Sequence, residues 1–172
     1  ARASAFAFTE ICDTPDLTVA VREESLEQTR ELCASLTLYA EKLGKTGKNT
    51  AIPYSLLESR TEACLNKLSY DLLLNCTSVG MYPHTDRCAV SETVISRCGA
   101  VFDAVYNPHD TLLLKTARKL GIPVVHGMAM LVWQAAAAHE IWYGASFRPQ
   151  DMAQLTQEAA EEMERRFREE AK

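Results

Sequence analysis

Hydrophobic positions along the chain alternate between short runs of period two and longer stretches of period three to four. Residues 1–12 read as a helix and residues 17–22 as a strand. Residues 25–43 read as a helix able to place Leu26, Leu32, Cys33, Leu36 and Leu43 on one broad face, stopped by Gly44. A short strand is expected at 50–54, a helix at 55–67 and a strand at 70–76, whose run Leu72, Leu73, Leu74 suits burial on both faces. The remaining expectations are a short helix at 91–97, a strand at 100–106, a helix at 111–120 closed by Gly121, and a strand at 122–126. Two helices follow, 128–142 and 148–170, the second carrying Met152, Leu155, Ala159, Met163 and Phe167 at helical spacing. Repeated strand–helix–strand units predict an α/β fold built on a doubly wound parallel sheet, with ligands outside the carboxyl ends of its strands.

Composition narrows the class. With 172 residues, 47% hydrophobic and 24% charged, the chain suits one ordinary domain and argues against disorder, a fibrous repeat or a membrane bundle. A formal charge of -5 offers no basic field for nucleic acid, and six cysteines without a C-x-x-C pair fit reduced thiols in the cytoplasm. The most apolar stretch, 122–138, is interrupted by His126 and Gln134, so no membrane span is expected. Generic phosphate-loop, dinucleotide, zinc and hydrolase motifs are absent. His84, His109, His126 and His139 lie at no metal spacing and read as structural or solvated.

Three segments carry more specific chemistry, and each ends a predicted strand on the same sheet edge. Asn75, Cys76, Thr77 and Ser78 follow a buried strand and lead to Gly80, which permits a tight turn. Asp103, Ala104, Tyr106, Asn107 and Pro108 end the next strand and precede Thr111. His126 and Gly127 open an apolar helix whose uncharged polar member is Gln134, and a glycine there lets a ligand approach the positive helix end.

In this order the segments resemble the nucleotide-binding domain of shikimate dehydrogenase. The patterns N-x-T-x-x-G-M, D-x-x-Y-N-P with a following T, and G-x-x-M-L-V-x-Q-A fall on Asn75/Thr77/Gly80/Met81, Asp103/Tyr106/Asn107/Pro108/Thr111 and Gly127/Met130/Leu131/Val132/Gln134/Ala135. The resemblance implies a cytoplasmic enzyme of aromatic amino-acid biosynthesis moving a hydride between NADPH and 3-dehydroshikimate to give shikimate. It implies that Tyr106 and Gln134 touch substrate, and that Arg22, Cys76, Thr77, Ala104, Gly127 and Met130 lie along NADP. Arg22 takes the place of the arginine that holds the 2'-phosphate, although Val21 and Glu23 replace its usual Asn and Thr neighbours.

The resemblance also implies that residues 1–144 form a partial NADP-binding domain and 145–172 a C-terminal amphipathic helix of the same unit. On this reading the first strand, the glycine-rich loop and the domain with the catalytic Lys/Asp pair would precede Ala1. No catalytic residue is therefore assigned, since Lys42, Lys45, Lys48 and Lys67 lack that context. The chain alone is expected to be marginally stable and inactive. Two alternatives stand beside this reading: a quinate/shikimate dehydrogenase using NAD, favoured by Glu23 and Glu24 beside Arg22, and a non-catalytic cofactor-binding module.

Overall fold

In a computed structural model, which describes the backbone of residues 1–63 and 70–170 and the side chains of 1–59 and 70–166, the chain divides into two units, Ala1–Lys67 and Leu68–Lys172. The first unit runs α1 (Arg2–Ile11), β1 (Leu17–Val21), α2 (Leu26–Lys42), β2 (Asn49–Pro53) and α3 (Tyr54–Ala63). β1 and β2 pair in parallel from Leu17 opposite Asn49 to Val21 opposite Pro53. Across them α2 buries Thr29, Cys33, Leu36 and Ala40, a spacing of three to four residues that keeps one face inward. That stripe differs from the expected one. It runs through Thr29, whose hydroxyl donates to Ser25 O at 2.8 Å, and leaves Leu43 exposed past the helix end. Lys45 donates its ammonium to Thr9 O and Glu10 O in the last turn of α1, so its charge sits at the negative helix end.

The second unit contains β3 (Leu73–Asn75), α4 (Glu92–Ile95), β4 (Val101–Asp103), α5 (Leu112–Lys119), β5 (Val124–His126), α6 (Gly127–Tyr143) and α7 (Pro149–Glu170). Its sheet has the order β3-β4-β5, all parallel. Where one doubly wound sheet is expected, the described residues form two sheets of parallel strands, β1-β2 and β3-β4-β5.

Strands are shorter than the apolar runs predicted. Leu72 is exposed, and β3 begins only at Leu73, preceded by an isolated bridge from Tyr70 to Cys98. Among the described residues β3 pairs on one side only, with β4, and Leu73 and Leu74 are half-buried where burial on both faces is expected for 72–74. α5 buries Leu113, Leu114 and Ala117 and is capped by Thr111, whose hydroxyl accepts from Leu114 N.

α6 and α7 pack through Met128, Val132, Ala136, Met152 and Ala160, with Leu131, Phe147, Ala159 and Met163 against them. Leu155, expected in the α7 stripe, points to solvent, because the seam follows Met152, Thr156, Ala159, Ala160 and Met163. The expected continuation of α3 to residue 67, Lys67, Cys64 and the side chain of Phe167 lie outside the described residues. Among those residues no helix is long and apolar enough to cross a membrane.

Candidate functional site

Parallel pairing in register brings Asn75, Asp103 and His126 level as the last residues of β3, β4 and β5. The chain leaves all three strands on one edge, so Cys76 and Thr77, Ala104, and Gly127 follow side by side on the second unit's sheet. Gly80, at φ +88°, turns the loop after β3 through a conformation that side chains with a Cβ resist.

A buried polar network ties these loops together. Asp103 is 0% exposed. One carboxylate oxygen accepts from Asn75 Nδ2 at 2.9 Å and Val105 N at 3.0 Å, and the other from the Thr111 hydroxyl at 2.7 Å. Asn75 Oδ1 in turn accepts from Thr77 N at 3.1 Å and from the Thr77 hydroxyl at 2.7 Å, and Thr77 Oγ1 accepts from Val79 N at 3.2 Å. Burial pushes the Asp103 carboxyl above the usual carboxylate range, while the three donors oppose that shift.

Gly127 is buried where the start of α6 meets the end of β4. A Cβ placed there would lie 2.6 Å from Ala104 O and 2.8 Å from Asp103 O. The glycine is thus required for close approach of helix and strand, whatever else its backbone touches. Beyond it, Met130 and Gln134 occupy an exposed stripe of α6 together with Trp133 and Ile141, and Tyr106 is exposed beyond β4. Cys76 and Ala104 are half-buried and Thr77 is exposed. The edge therefore carries six of the residues singled out from sequence, Cys76, Thr77, Ala104, Gly127, Met130 and Gln134, on β3, β4 and α6 or immediately after them, with Tyr106 a little further on. Arg22 belongs to the first unit, directly after β1, where its guanidinium lies 3.3 Å from the Glu24 carboxylate with both side chains in solvent.

Sequence patterns gave no sign of one further cluster. The His109 and His126 rings stack at a centroid distance of 4.2 Å and an interplanar angle of 8°. His126 Nε2 lies 3.3 Å from Asp110 Oδ1, and Arg118 holds the same carboxylate through two bonds of 2.8 Å. Those bonds from Arg118 hold the Asp110 carboxyl down at about 2. A cavity of about 460 Å³ beside the stack is lined by Val125, Ala129, Gln157 and Glu164, and by none of Thr77, Ala104, Met130 or Gln134. The two histidines are seventeen positions apart on a loop and a strand, a spacing to which no short motif responds.

Burial, and then the neighbouring His126, lower the His109 pKa from its ordinary 6.5, with Glu164 and Asp110 acting in the opposite sense. The unfolded chain therefore takes up this proton first as the pH falls through 6.5, and the folded state loses stability until His109 itself titrates. The melting temperature is expected to drop as the pH falls through about 6.5, and to drop less in His109→Phe, which keeps a ring on His126 without a titrating group. Equal drops in thermal melts of the two proteins would show that the stack accommodates the charge.

No family model matches the sequence. Curated relatives do. The NADP(+) shikimate dehydrogenase of Caldanaerobacter subterraneus subsp. tengcongensis is 47% identical over 77 residues, 45% of this chain and 28% of that protein. That of Dehalococcoides mccartyi is 35% identical over 126 residues, 73% of this chain and 40% of that protein. The chain is a relative of the shikimate dehydrogenases. A crystallised chorismate mutase/shikimate 5-dehydrogenase fusion from Clostridium acetobutylicum superposes with a TM-score of 0.65 at 30% identity, covering 86% of this chain and 46% of the fusion. The matched region thus spans less than half the length of each of these shikimate dehydrogenase relatives, and the α/β architecture with parallel sheets is one that the chain shares with the crystallised fusion.

Proposed function

We propose that this chain supplies the NADP(H)-binding region of a cytoplasmic shikimate dehydrogenase, the complete enzyme reducing 3-dehydroshikimate to shikimate in aromatic amino-acid biosynthesis. The observation that carries the reading is the level ending of β3, β4 and β5, which gathers the three motif segments onto one sheet edge. This edge fits a dinucleotide. Beyond the strands Thr77 is exposed and Ala104 half-buried, and the thioether of Met130 stands 41% exposed, giving an apolar surface for a flat heteroaromatic ring. When bound, the cofactor supplies the hydride.

On this reading Cys76, Thr77, Ala104, Gly127 and Met130 line the cofactor. Gln134, with donor and acceptor on one amide, and Tyr106, with its phenol, meet the hydroxyl and carbonyl groups of the substrate. Arg22 binds the 2'-phosphate by a charge-assisted hydrogen bond of ~1.5–3 kcal/mol. No residue of the chain is assigned as the catalytic acid or base.

Glu24, at 3.3 Å from Arg22, favours a second reading, a quinate/shikimate dehydrogenase using NAD, because a carboxylate already neutralises the cation a 2'-phosphate would need. Titrating the chain with NADP+ and NAD+ separates the two. Arg22→Ala is expected to weaken NADP+ by about tenfold or more and leave NAD+ nearly unchanged, and Glu24→Gln to strengthen NADP+ alone. Equal losses for both cofactors in Arg22→Ala would overturn the phosphate assignment, and tighter NAD+ binding by the unmutated chain would select the second reading.

A further inference from the structure

The network beneath the edge runs in one direction. Val79 N donates to Thr77 Oγ1, the Thr77 hydroxyl donates to Asn75 Oδ1, and Asn75 Nδ2 donates to Asp103. The orientation of each group is forced by its neighbour. Thr77 N also donates to Asn75 Oδ1, so the carboxamide must turn its NH2 toward Asp103. From the other side, Leu114 N donates to Thr111 Oγ1, which leaves the hydroxyl proton for Asp103. Val105 N is an obligatory donor. Three donors from three segments thus converge on one carboxylate, and no acceptor faces it among these contacts.

We infer that Asp103 is a positioning residue: as a buried hydrogen-bond acceptor it orients Asn75, and through Asn75 the Thr77 loop, so that the edge residues Thr77 and Ala104 are held in one arrangement for a ligand. Its consequence for binding rests on the proposed cofactor reading, whereas the orientation of Thr77 does not. An amide in place of the carboxylate sets its NH2 either against Asn75 and Val105, which both donate, or against Thr111 Oγ1, whose hydroxyl must then turn its proton away and lose its acceptor, and either outcome is costly in a closed buried network.

Amide hydrogen exchange on the full chain, combined with NADP+ titration, tests this. In Asp103→Asn the amides of Thr77, Val79 and Val105 are expected to lose protection by about tenfold or more relative to those of α6, and NADP+ to bind about tenfold more weakly. The exchanged pair Asn75→Asp/Asp103→Asn restores a carboxylate for Thr77 and a donor facing it, and should recover part of the Thr77 protection. A role confined to general stability would lower protection in α6 equally and show no recovery. Should Asp103→Asn fail to fold, Thr111→Val, which removes one donor and keeps the carboxylate, is expected to loosen Val105 and Thr77 in the same direction. Unchanged protection at Thr77 in whichever of the two variants folds overturns the inference. A wild-type chain that shows the exchange pattern but binds no NADP+ would overturn the cofactor reading and leave the positioning role standing.

Discussion

Gly127→Ala should destabilise the protein by about 3 kcal/mol, the upper end of overpacking penalties, and lower its melting temperature by about 10 °C. The sign is the informative part. Gly127 is the first residue of α6, and an alanine inside a helix ordinarily gains up to ~1 kcal/mol over glycine. Here the added methyl would meet Ala104 O at 2.6 Å, Ala104 C at 2.7 Å and Asp103 O at 2.8 Å, all backbone atoms of the central strand and its exit. No flexible side chain can move aside. Relief requires α6 to lift from β4, which would also open the packing of buried Met128. Circular-dichroism melts give the comparison, and a variant as stable as the parent would mean that the helix and strand separate at no cost.

Met152→Ala should undock α7 without unfolding the sheet. Met152 is 1% exposed and, with Ala160, supplies α7's buried share of the seam. Truncating a buried methionine costs ~2–5 kcal/mol. The half-buried Thr156, Ala159 and Met163 complete the seam, whereas surface pairs such as Gln154 with Glu158 and Arg166 with Glu162 lie within α7 and add only a few tenths of a kcal/mol each to the helix itself. Loss of about 2 kcal/mol from the docking free energy should speed amide exchange throughout α7 by roughly thirtyfold while β4 and α5 keep their protection. Uniform acceleration across the second unit would instead place α7 within its cooperative core.

The order of helices and strands was legible because apolar periodicity reports which face of an element is buried, and burial decided nearly all of them. Edges were not. β3, β4 and β5 are three residues long where the runs suggested five to seven, since strand length depends on a hydrogen-bonded neighbour that periodicity does not describe. Stripe membership failed at Leu43 and Leu155 for a related reason: a small residue such as Ala160, or a threonine bonded to its own helix such as Thr29, can fill an inward position that a leucine was expected to take.

At the candidate site, the residue types and their strand-end positions could be read directly. The partnership of Asn75 with Asp103, twenty-eight residues away, required the parallel register that sets them side by side. The ring stack of His109 on His126 required in addition the path of the loop through Asp110.

The chain has two tryptophans, Trp133 and Trp142, and both lie on α6, 48% and 70% exposed. Intrinsic indole fluorescence is therefore a spectroscopic channel for one helix of the second unit. Trp133 neighbours Gln134 on the exposed stripe, so a molecule settling there shields an indole from aqueous quenchers, and an acrylamide titration registers it without a label. The first unit contains no indole at all, and its unfolding is dark in this channel. Its Tyr39, packed edge-on against Phe6 at 5.1 Å, contributes near-ultraviolet tyrosine dichroism, which comparison with Tyr39→Phe separates from the signal of the second unit's Tyr70, Tyr82, Tyr106 and Tyr143. Recording both signals in one melt resolves whether the two units give way together.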